Sequence, residues 1–305
     1  MTATARRADL AGTASLLGAG LLFGTTFVVM QEAVERAEVL PFLAVRFAVG
    51  AVVLLPFALR RPSAPGELRV GVLAGLCLLA GYLFQTVGLQ YTSSTSSAFI
   101  TYLLVVFVPI LTAVLTRRPP ERSVVIAVVL AVTGLLLLSG GLDGFGRGEL
   151  LTLGCAFAFA VHILILGRTS HRYDPVRLTC WQVAVVSLAC VGPGIGSGGD
   201  GFDAGVWAAA VFCGVAATAL AFLGQVYGQR VVPASRAAIL LLAEPVSAAF
   251  LGYLTGERLG WNGALGAVTI LAGVIVAELG PRRPPTLGGE LGLPDAEPQR
   301  IEPDS

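Results

Sequence analysis

The chain contains no lysine: all 20 of its basic residues are arginine, and charged residues of both signs make up only 13% of its 305 positions. Soluble globular domains carry about twice that share of charge, so a water-exposed enzyme or binding module is excluded at the outset. Histidine occurs only twice, and His162, the one inside an apolar run, has no second histidine or carboxylate at ligand spacing, which argues against a metal site. The five cysteines, Cys77, Cys155, Cys180, Cys190 and Cys213, form no CxxC pair and all fall in apolar runs. They read as small buried residues, not as a disulfide frame. There is no GxSxG, no HExxH, no Walker loop and no pair of carboxylates on one helix, so no catalytic residue, no cofactor and no direct drive by ATP is indicated. Arginines without interleaved aromatics do not suit nucleic acid either.

What is abundant is apolar sequence: 55% of residues are hydrophobic and the mean hydropathy is +0.81. A membrane span needs about 20 apolar residues. Ten stretches qualify, at 10–30, 40–59, 68–89, 94–115, 124–139, 150–167, 176–192, 204–227, 234–256 and 261–279. The chain therefore reads as an all-α membrane protein. With the N-terminus in the cytoplasm, sixteen arginines fall in inner loops and tails, three (Arg36, Arg147, Arg258) in outer loops, and Arg46 inside a span. That bias puts both termini inside, as in a multi-pass protein of a bacterial inner membrane. Arg6 and Arg7 precede the first run, but no small-residue cleavage site follows, so the run reads as a span and not as a leader.

Two stretches nearly repeat each other. GLQYTSSTSSAFITYLLVVFVPIL begins at Gly88 and GQRVVPASRAAILLLAEPVSAAFL begins at Gly228, 140 positions later. Each runs from small and hydroxyl residues into an apolar segment with a mid-depth proline, Pro109 or Pro245. Pro41 and Pro175 open the second and seventh spans in the same relation. The expected organisation is a cytoplasmic N-terminus at 1–9, a five-helix repeat at 10–139, a glycine-rich linker at 140–148, a second repeat at 149–280 and a disordered cytoplasmic tail at 281–305. An odd number of spans per half makes the repeats inverted, and broken segments in corresponding places are the sequence pointer to a transporter binding site. Glycines four apart, at 20 and 24, 71 and 75, 224 and 228, and 252 and 256, suit close helix packing within one chain.

Glu244 stands near mid-depth of the ninth span, where a charge is costly and should face a cavity or a partner. Pro245 and Pro109 each remove a backbone donor, which frees the carbonyls of Leu241 and Val105 as sites of kinking or gating. Arg46 is close enough to the outer end of its span for its side chain to reach the headgroups, the alternative being a partner for an anionic group. His162 shares a helical face with Cys155 and Phe159, as a proton relay or as a neutral ring held by a carbonyl. Polar stripes at helical spacing run through Tyr82 and Gln85, through Ser94, Ser97 and Thr101, and through Thr218, Phe222 and Gln225. They would line a site suited to small amphipathic or zwitterionic solutes, or pair between helices.

FGTTFVVMQEA, PFLAVRF, GLQYTSSTSSAFI and above all AAILLLAEPVSAAFLGYLTGERL resemble the EamA-type drug/metabolite transporter superfamily. The resemblance runs from about Leu10 to Leu279. It implies ten helices in two inverted five-helix repeats around a cavity formed by spans one, three, four, six, eight and nine. Carried onto this chain, it implies substrate binding by Thr25, Thr26, Tyr82, Gln85, Thr101, Tyr102, His162, Thr218, Gln225 and Glu244. It leaves Arg46 and Trp181 on outer helices. The chain departs from the pattern at Val105, where the family favours proline, and at His162, where aromatic residues such as tyrosine are common. The expected function is a secondary transporter that exports small metabolites, amino acids or amphipathic toxicants by alternating access. The expected partners are a small-molecule substrate and the lipid bilayer, with Glu244 the candidate for proton coupling; coupling ion and oligomeric state stay open. The rivals are a lipid-precursor flippase or membrane-embedded enzyme, and a non-transporting scaffold.

Overall fold

In hydrocarbon every backbone N–H and C=O must be paired within the protein, so long apolar runs rich in Leu, Ala and Val close their hydrogen bonds as helices. A computed structural model bears this out over the residues it describes, 3–117, 119, 122–138, 140–141, 145–196, 202–232, 237, 240–241 and 243–279. Among the described residues the chain is helical, without strands. The helices are α1 (Ala3–Val34), α2 (Val39–Ala58), α3 (Glu67–Gly88), α4 (Ser94–Thr101), α5 (Leu104–Thr116), α6 (Arg122–Leu138) and α7 (Arg147–Thr169). They continue with α8 (Pro175–Gly196), α9 (Ala204–Cys213), a π-helical stretch (Gly214–Ala221), α10 (Phe222–Gln229), α11 (Ala243–Leu254) and α12 (Trp261–Leu279). Seven helical stretches among the described residues are long and apolar enough to cross a membrane, α4–α5 and α9–α10 each counting as one. The tail expected at 281–305, positions 142–144 of the linker and positions 234–236 at the start of the ninth run lie outside the described residues. α1 begins at Ala3, inside the stretch expected as the N-terminal segment.

Two interruptions shape the interior. Through Tyr102 and Leu103 the backbone tightens: Leu103 donates to the Ile100 carbonyl (3.0 Å), Val105 to Tyr102 (3.1 Å) and Val106 to Leu103 (2.9 Å). The Pro109 ring crowds the carbonyl four residues before it, and the distortion is taken up one turn earlier, where α4 gives way to α5. The second break precedes α11, where the Glu244 amide donates to the Leu241 carbonyl at 2.9 Å. The carbonyl that Pro245 cannot reach is thus satisfied by a tighter turn, and Pro245 falls in the first turn of α11, where a missing N–H costs least.

Glycine decides how closely the helices approach. A Cβ on Gly24 would overlap the Ser247 hydroxyl and the Glu244 carbonyl, so α1 and α11 meet backbone to backbone beside Glu244. On Gly71 it would stand 2.5 Å from Trp181 Cβ, and on Gly75 2.8 Å from Val185 Cβ, which seats α3 against α8. Gly224 and Gly228 face Ser15 and Leu16 of α1, and Gly252 faces Thr95 and Glu257. These glycines serve packing within one chain; Gly256 differs, standing at φ +105° where the chain turns out of α11. The principal neighbours are α2 with α8, α6 with α12, α3 with α7, and α1 with α10 and α11. Leu21, Val52, Leu188, Phe250, Trp261 and Val268 face outward on the perimeter, while Thr26, Arg46, Gln85, Thr101, His162 and Gln182 are buried. That inside-polar arrangement suits a lipid surround.

Gly18 tests the packing account from the same helix, because a Cβ there meets nothing within 4 Å. Gly24→Ala is expected to destabilise by about 1–3 kcal/mol through overpacking, and Gly18→Ala to leave stability unchanged or slightly raised. Thermal unfolding of the detergent-purified variants measures both.

Candidate functional site

Between the helices lies a narrow cavity of about 40 Å³. Its walls come from α1 (Phe23, Thr26, Phe27), α3 (Tyr82, Gln85), Leu104 at the start of α5, α7 (Phe159, His162, Ile163), α10 (Phe222, Gln225), and Leu241 with Glu244 at the break before α11. These are the six spans that the resemblance assigned to a central site. The volume holds about three waters. Pockets for drug-sized solutes are several hundred Å³, so such a solute enters only if the helices part.

Six of the ten residues expected at the site line this cavity: Thr26, Tyr82, Gln85, His162, Gln225 and Glu244. The other four stand around it. Thr101 accepts from Gln85 Nε2 at 3.4 Å and touches Cys155 Sγ at 3.8 Å, so it braces a lining residue. Tyr102 is fully buried at the α4–α5 break. Thr218 accepts from Arg46, and Thr25 is half-buried and bonds back to the Leu22 carbonyl at 2.7 Å. Pro245 directly follows Glu244 in α11, and Pro109 lies inside α5 away from the lining.

The polar wall is built residue by residue. Gln182 Nε2 donates to the Leu178 carbonyl at 3.0 Å, which turns its Oε1 toward His162 Nε2 at 2.6 Å. An acceptor at that distance requires the proton on Nε2, so in the neutral ring Nδ1 is the lone-pair nitrogen. Gln225 donates to Gln229 Oε1 at 3.2 Å, and Gln229 donates to the Ile163 carbonyl at 3.4 Å, a ladder that ties α10 to α7. The carboxylate of Glu244 makes no hydrogen bond or ion pair with any described residue. It stands in the first turn of a helix, where partial positive charge favours an anion. Aromatic edges fill the rest: Tyr82 lies 4.9 Å from Phe47, 5.5 Å from Phe159 and 6.0 Å from Phe222, centroid to centroid.

Arg46 overturns its expected place. It does not reach for the headgroups; it is 0% exposed and turned into the core. Its Nε donates to Thr218 Oγ1 at 3.0 Å, its Nη2 to Tyr82 Oη at 3.2 Å, and its Nη1 faces the Met30 thioether. The guanidinium carbon lies 4.6 Å from the centre of the Tyr82 ring, a cation–π contact. Small residues open the way. A Cβ on Gly50 would press on Thr218 Cγ2 at 2.6 Å, and one on Gly214 on the Arg46 carbonyl at 2.7 Å, so α2 runs close against the π-helical stretch. A widened π turn in mid-helix often marks a functional site. The signal was in the sequence: Arg46 shares a face with Phe42 and Gly50 at i−4 and i+4, and a small residue on a membrane helix marks its packed side.

The family profile for EamA-like transporters matches residues 10–140 and again 146–279. The chain belongs to that family. It is similar to an uncharacterized transporter of Archaeoglobus fulgidus, 34% identical over 53% of this chain and 51% of that one. A second from the same organism is 28% identical over 87% of this chain and 96% of its own. The uncharacterized transporter YwfM of Bacillus subtilis is 30% identical over 89% of this chain and 95% of its own length. A protein of known crystal structure superposes with a TM-score of 0.66 at 19% identity, covering 90% of this chain and 97% of that one, which shows a shared fold. The protein is therefore a multi-pass membrane protein of a transporter family.

Both ends of this EamA-family bundle are tied by contacts that the sequence did not disclose. At one, the Glu257 carboxylate accepts from the backbone amides of Ser94 (3.1 Å) and Thr95 (3.2 Å) and from both hydroxyls, so it caps α4 from beyond α11. At the other, Arg177 pairs with buried Glu67 at 2.9 Å and donates to the carbonyls of Ala58 and Arg61, joining α8 to α2 and α3. The Ser94 amide also donates to Gln31 Oε1 at 2.9 Å, so Glu257→Ala is expected to lower stability by about 1–3 kcal/mol by leaving the Thr95 amide and the two hydroxyls without this acceptor, with Glu257→Gln falling between it and wild type. Thermal unfolding of the three proteins ranks them.

Proposed function

We propose that the protein is a ten-span secondary transporter of the inner membrane with both termini in the cytoplasm. In this reading it exports small metabolites, amino acids or amphipathic toxicants by alternating access. The observation that carries the reading is the mid-depth cavity, with Glu244 unpaired by any described residue at the broken entry to α11. The two-repeat organisation, 10–139 and 149–280, is supported by the packing itself. A shift of five spans turns the contact of α3 with α7 into that of α10 with α1, and the contact of α1 with α11 into that of α7 with α4 and α5. The same shift maps α2 against α8, and α6 against α12, onto themselves. The breaks at Tyr102 and before Ala243 also stand about 140 positions apart, the spacing of the sequence repeat.

Rocking of one half against the other would open the cavity to each side in turn. Thr26, Gln85, His162 and Gln225 supply hydrogen bonds, and phenylalanines supply the walls. Thr101, Tyr102, Thr218 and Thr25 support that lining, and the proline-associated breaks at Pro109 and Pro245 are the flexing points. Glu244 exchanges a proton or receives a cationic group of the solute.

The test is a thermal-stability screen of the purified protein against amino acids, nucleobases, lipophilic cations and lipid precursors, with Glu244→Gln in parallel. A ligand at 100 times its Kd stabilises by about 2.7 kcal/mol, a readily measured rise in Tm. Stabilisation by a small solute, lost or reduced in Glu244→Gln, is expected. Transport of that solute in proteoliposomes should depend on pH in the wild type and much less in the variant. Stabilisation by lipid precursors alone would overturn this reading in favour of a flippase.

A further inference from the structure

Arg46 is a buried permanent cation whose partners among the described residues are all neutral. A guanidinium is not deprotonated in proteins and carries five N–H donors. Here the partners are a threonine hydroxyl, a tyrosine hydroxyl and a thioether. Among the described residues no carboxylate lies within 4.0 Å of it; the ion pairs there are Arg36 with Glu32, Arg36 with Asp203, and Arg177 with Glu67. Its positive potential therefore spreads through its nearest contacts, and a low dielectric lengthens its reach. The contact that leads to the cavity is Tyr82, which accepts from Arg46 and is itself one of the residues lining the cavity.

The direction of that hydrogen bond fixes the chemistry. Arg46 has only donors, so Tyr82 Oη is the acceptor and must spend its own proton elsewhere. No described residue accepts it. The Tyr82 ring cannot swing away to find one in the core, because Phe47, Phe159 and Phe222 press it edge-on. A phenol that already accepts from a cation is also a stronger donor.

We infer that Arg46 is a positioning residue that commits the Tyr82 hydroxyl to donate into the cavity, so that the site selects solutes bearing a compact anionic acceptor, a carboxylate above all. The inference rests on the reading of the cavity as a solute site. It adds a pole to it: Tyr82, backed by Arg46, for the anionic end, and Glu244 for a donor or cationic end. It also accounts for a charge buried in α2, a helix that does not itself line the cavity. Arg46 acts through Tyr82, and Thr218, in the π-helical stretch, aims the guanidinium by accepting from Nε.

The experiment compares acids with their amides, which keep the same body and the same ammonium group. Alanine and alaninamide, leucine and leucinamide, and phenylalanine and phenylalaninamide are titrated against the full-length detergent-purified protein by thermal shift, at a pH where all the amines are charged. Wild type is expected to bind at least one acid about tenfold or more tightly than its amide, the scale of a hydrogen bond to a charged acceptor. Tyr82→Phe keeps the ring packing and loses the hydroxyl, so its acid-to-amide ratio should fall to within about twofold of unity. Arg46→Lys keeps the charge but loses the fork to Thr218 and Tyr82, and should reduce the ratio too. A purely structural role would weaken acids and amides together and leave the ratio as in wild type, which would overturn the inference. Equal binding of acid and amide by wild type, or binding of neutral and cationic solutes from the wider screen with none of the acids, would also overturn it and leave the transport reading standing. Absence of binding by every solute in both experiments would overturn both. Should Arg46→Lys fail to fold, the Tyr82→Phe ratio decides alone.

Discussion

Hydrocarbon offers no hydrogen-bond partner, and nearly every feature of this bundle follows from where its polar groups go instead. The perimeter is left to Leu, Val, Phe and Trp side chains, and polar side chains gather on the faces where helices meet. Because the apolar effect does not hold helices together in lipid, close backbone approach and interior hydrogen bonds do that work. Glycine supplies the first at the α1–α11, α3–α8 and α2–π contacts. The second is carried by His162 with Gln182, Gln225 with Gln229, and Arg46 with Thr218 and Tyr82. The places where backbone pairing fails are placed inward for the same reason. The break at Tyr102 and the break before α11 both occur where irregular backbone is enclosed by protein, and the second of them carries Glu244 to the cavity wall.

The two ends of the bundle are closed differently. Glu257 holds the N-terminus of α4 with a carboxylate that accepts from four donors, a local contact at the mouth between α4 and α11. Arg177 and Glu67 staple three helices through an ion pair and two carbonyls. Arg36 adds an exposed pair with Asp203, whose carboxyl is held below the usual range chiefly by the Val206 amide it caps and also by Arg36. A carboxylate with a lowered pKa contributes stability at neutral pH and loses it as pH falls through that value, so this contact weakens only in acid. The narrow cavity between the two ends is the space that movement of the halves would have to enlarge.

Much of this was legible in the chain. Apolar length gave the helices, the near-repeat of GLQYTSSTSSAFI and GQRVVPASRAAIL pointed to corresponding breaks, and helical spacing put Tyr82 with Gln85 and Thr218 with Gln225 on shared faces. What stayed hidden depends on rotation and on partners distant in sequence. Arg46 near the end of a span satisfies the snorkelling rule as well as it satisfies burial; Gly50 on its face was only a hint of the packed side, and the approach of Gly50 to Thr218 decides between them. The pairing of Gln182 with His162 required knowing that the Gln182 side chain reaches across from α8 to α7, and Arg177 looked like one more topology signal because its partner Glu67 lies 110 positions away. The π turn at 214–221 has no signature beyond its small and apolar residues, GVAATALA.

The central claim is that the cavity around Gln225 and Glu244 is a transport site that opens to both sides of the membrane. The most direct test replaces the five native cysteines, introduces Gln225→Cys, and reconstitutes the protein in liposomes of defined orientation. Membrane-impermeant thiol reagents are then applied from one face at a time. Modification from either face, at a rate slowed by a stabilising solute, is the result the account predicts. Modification from one face only, or from neither, would contradict it and leave the cavity as a packing defect in the core.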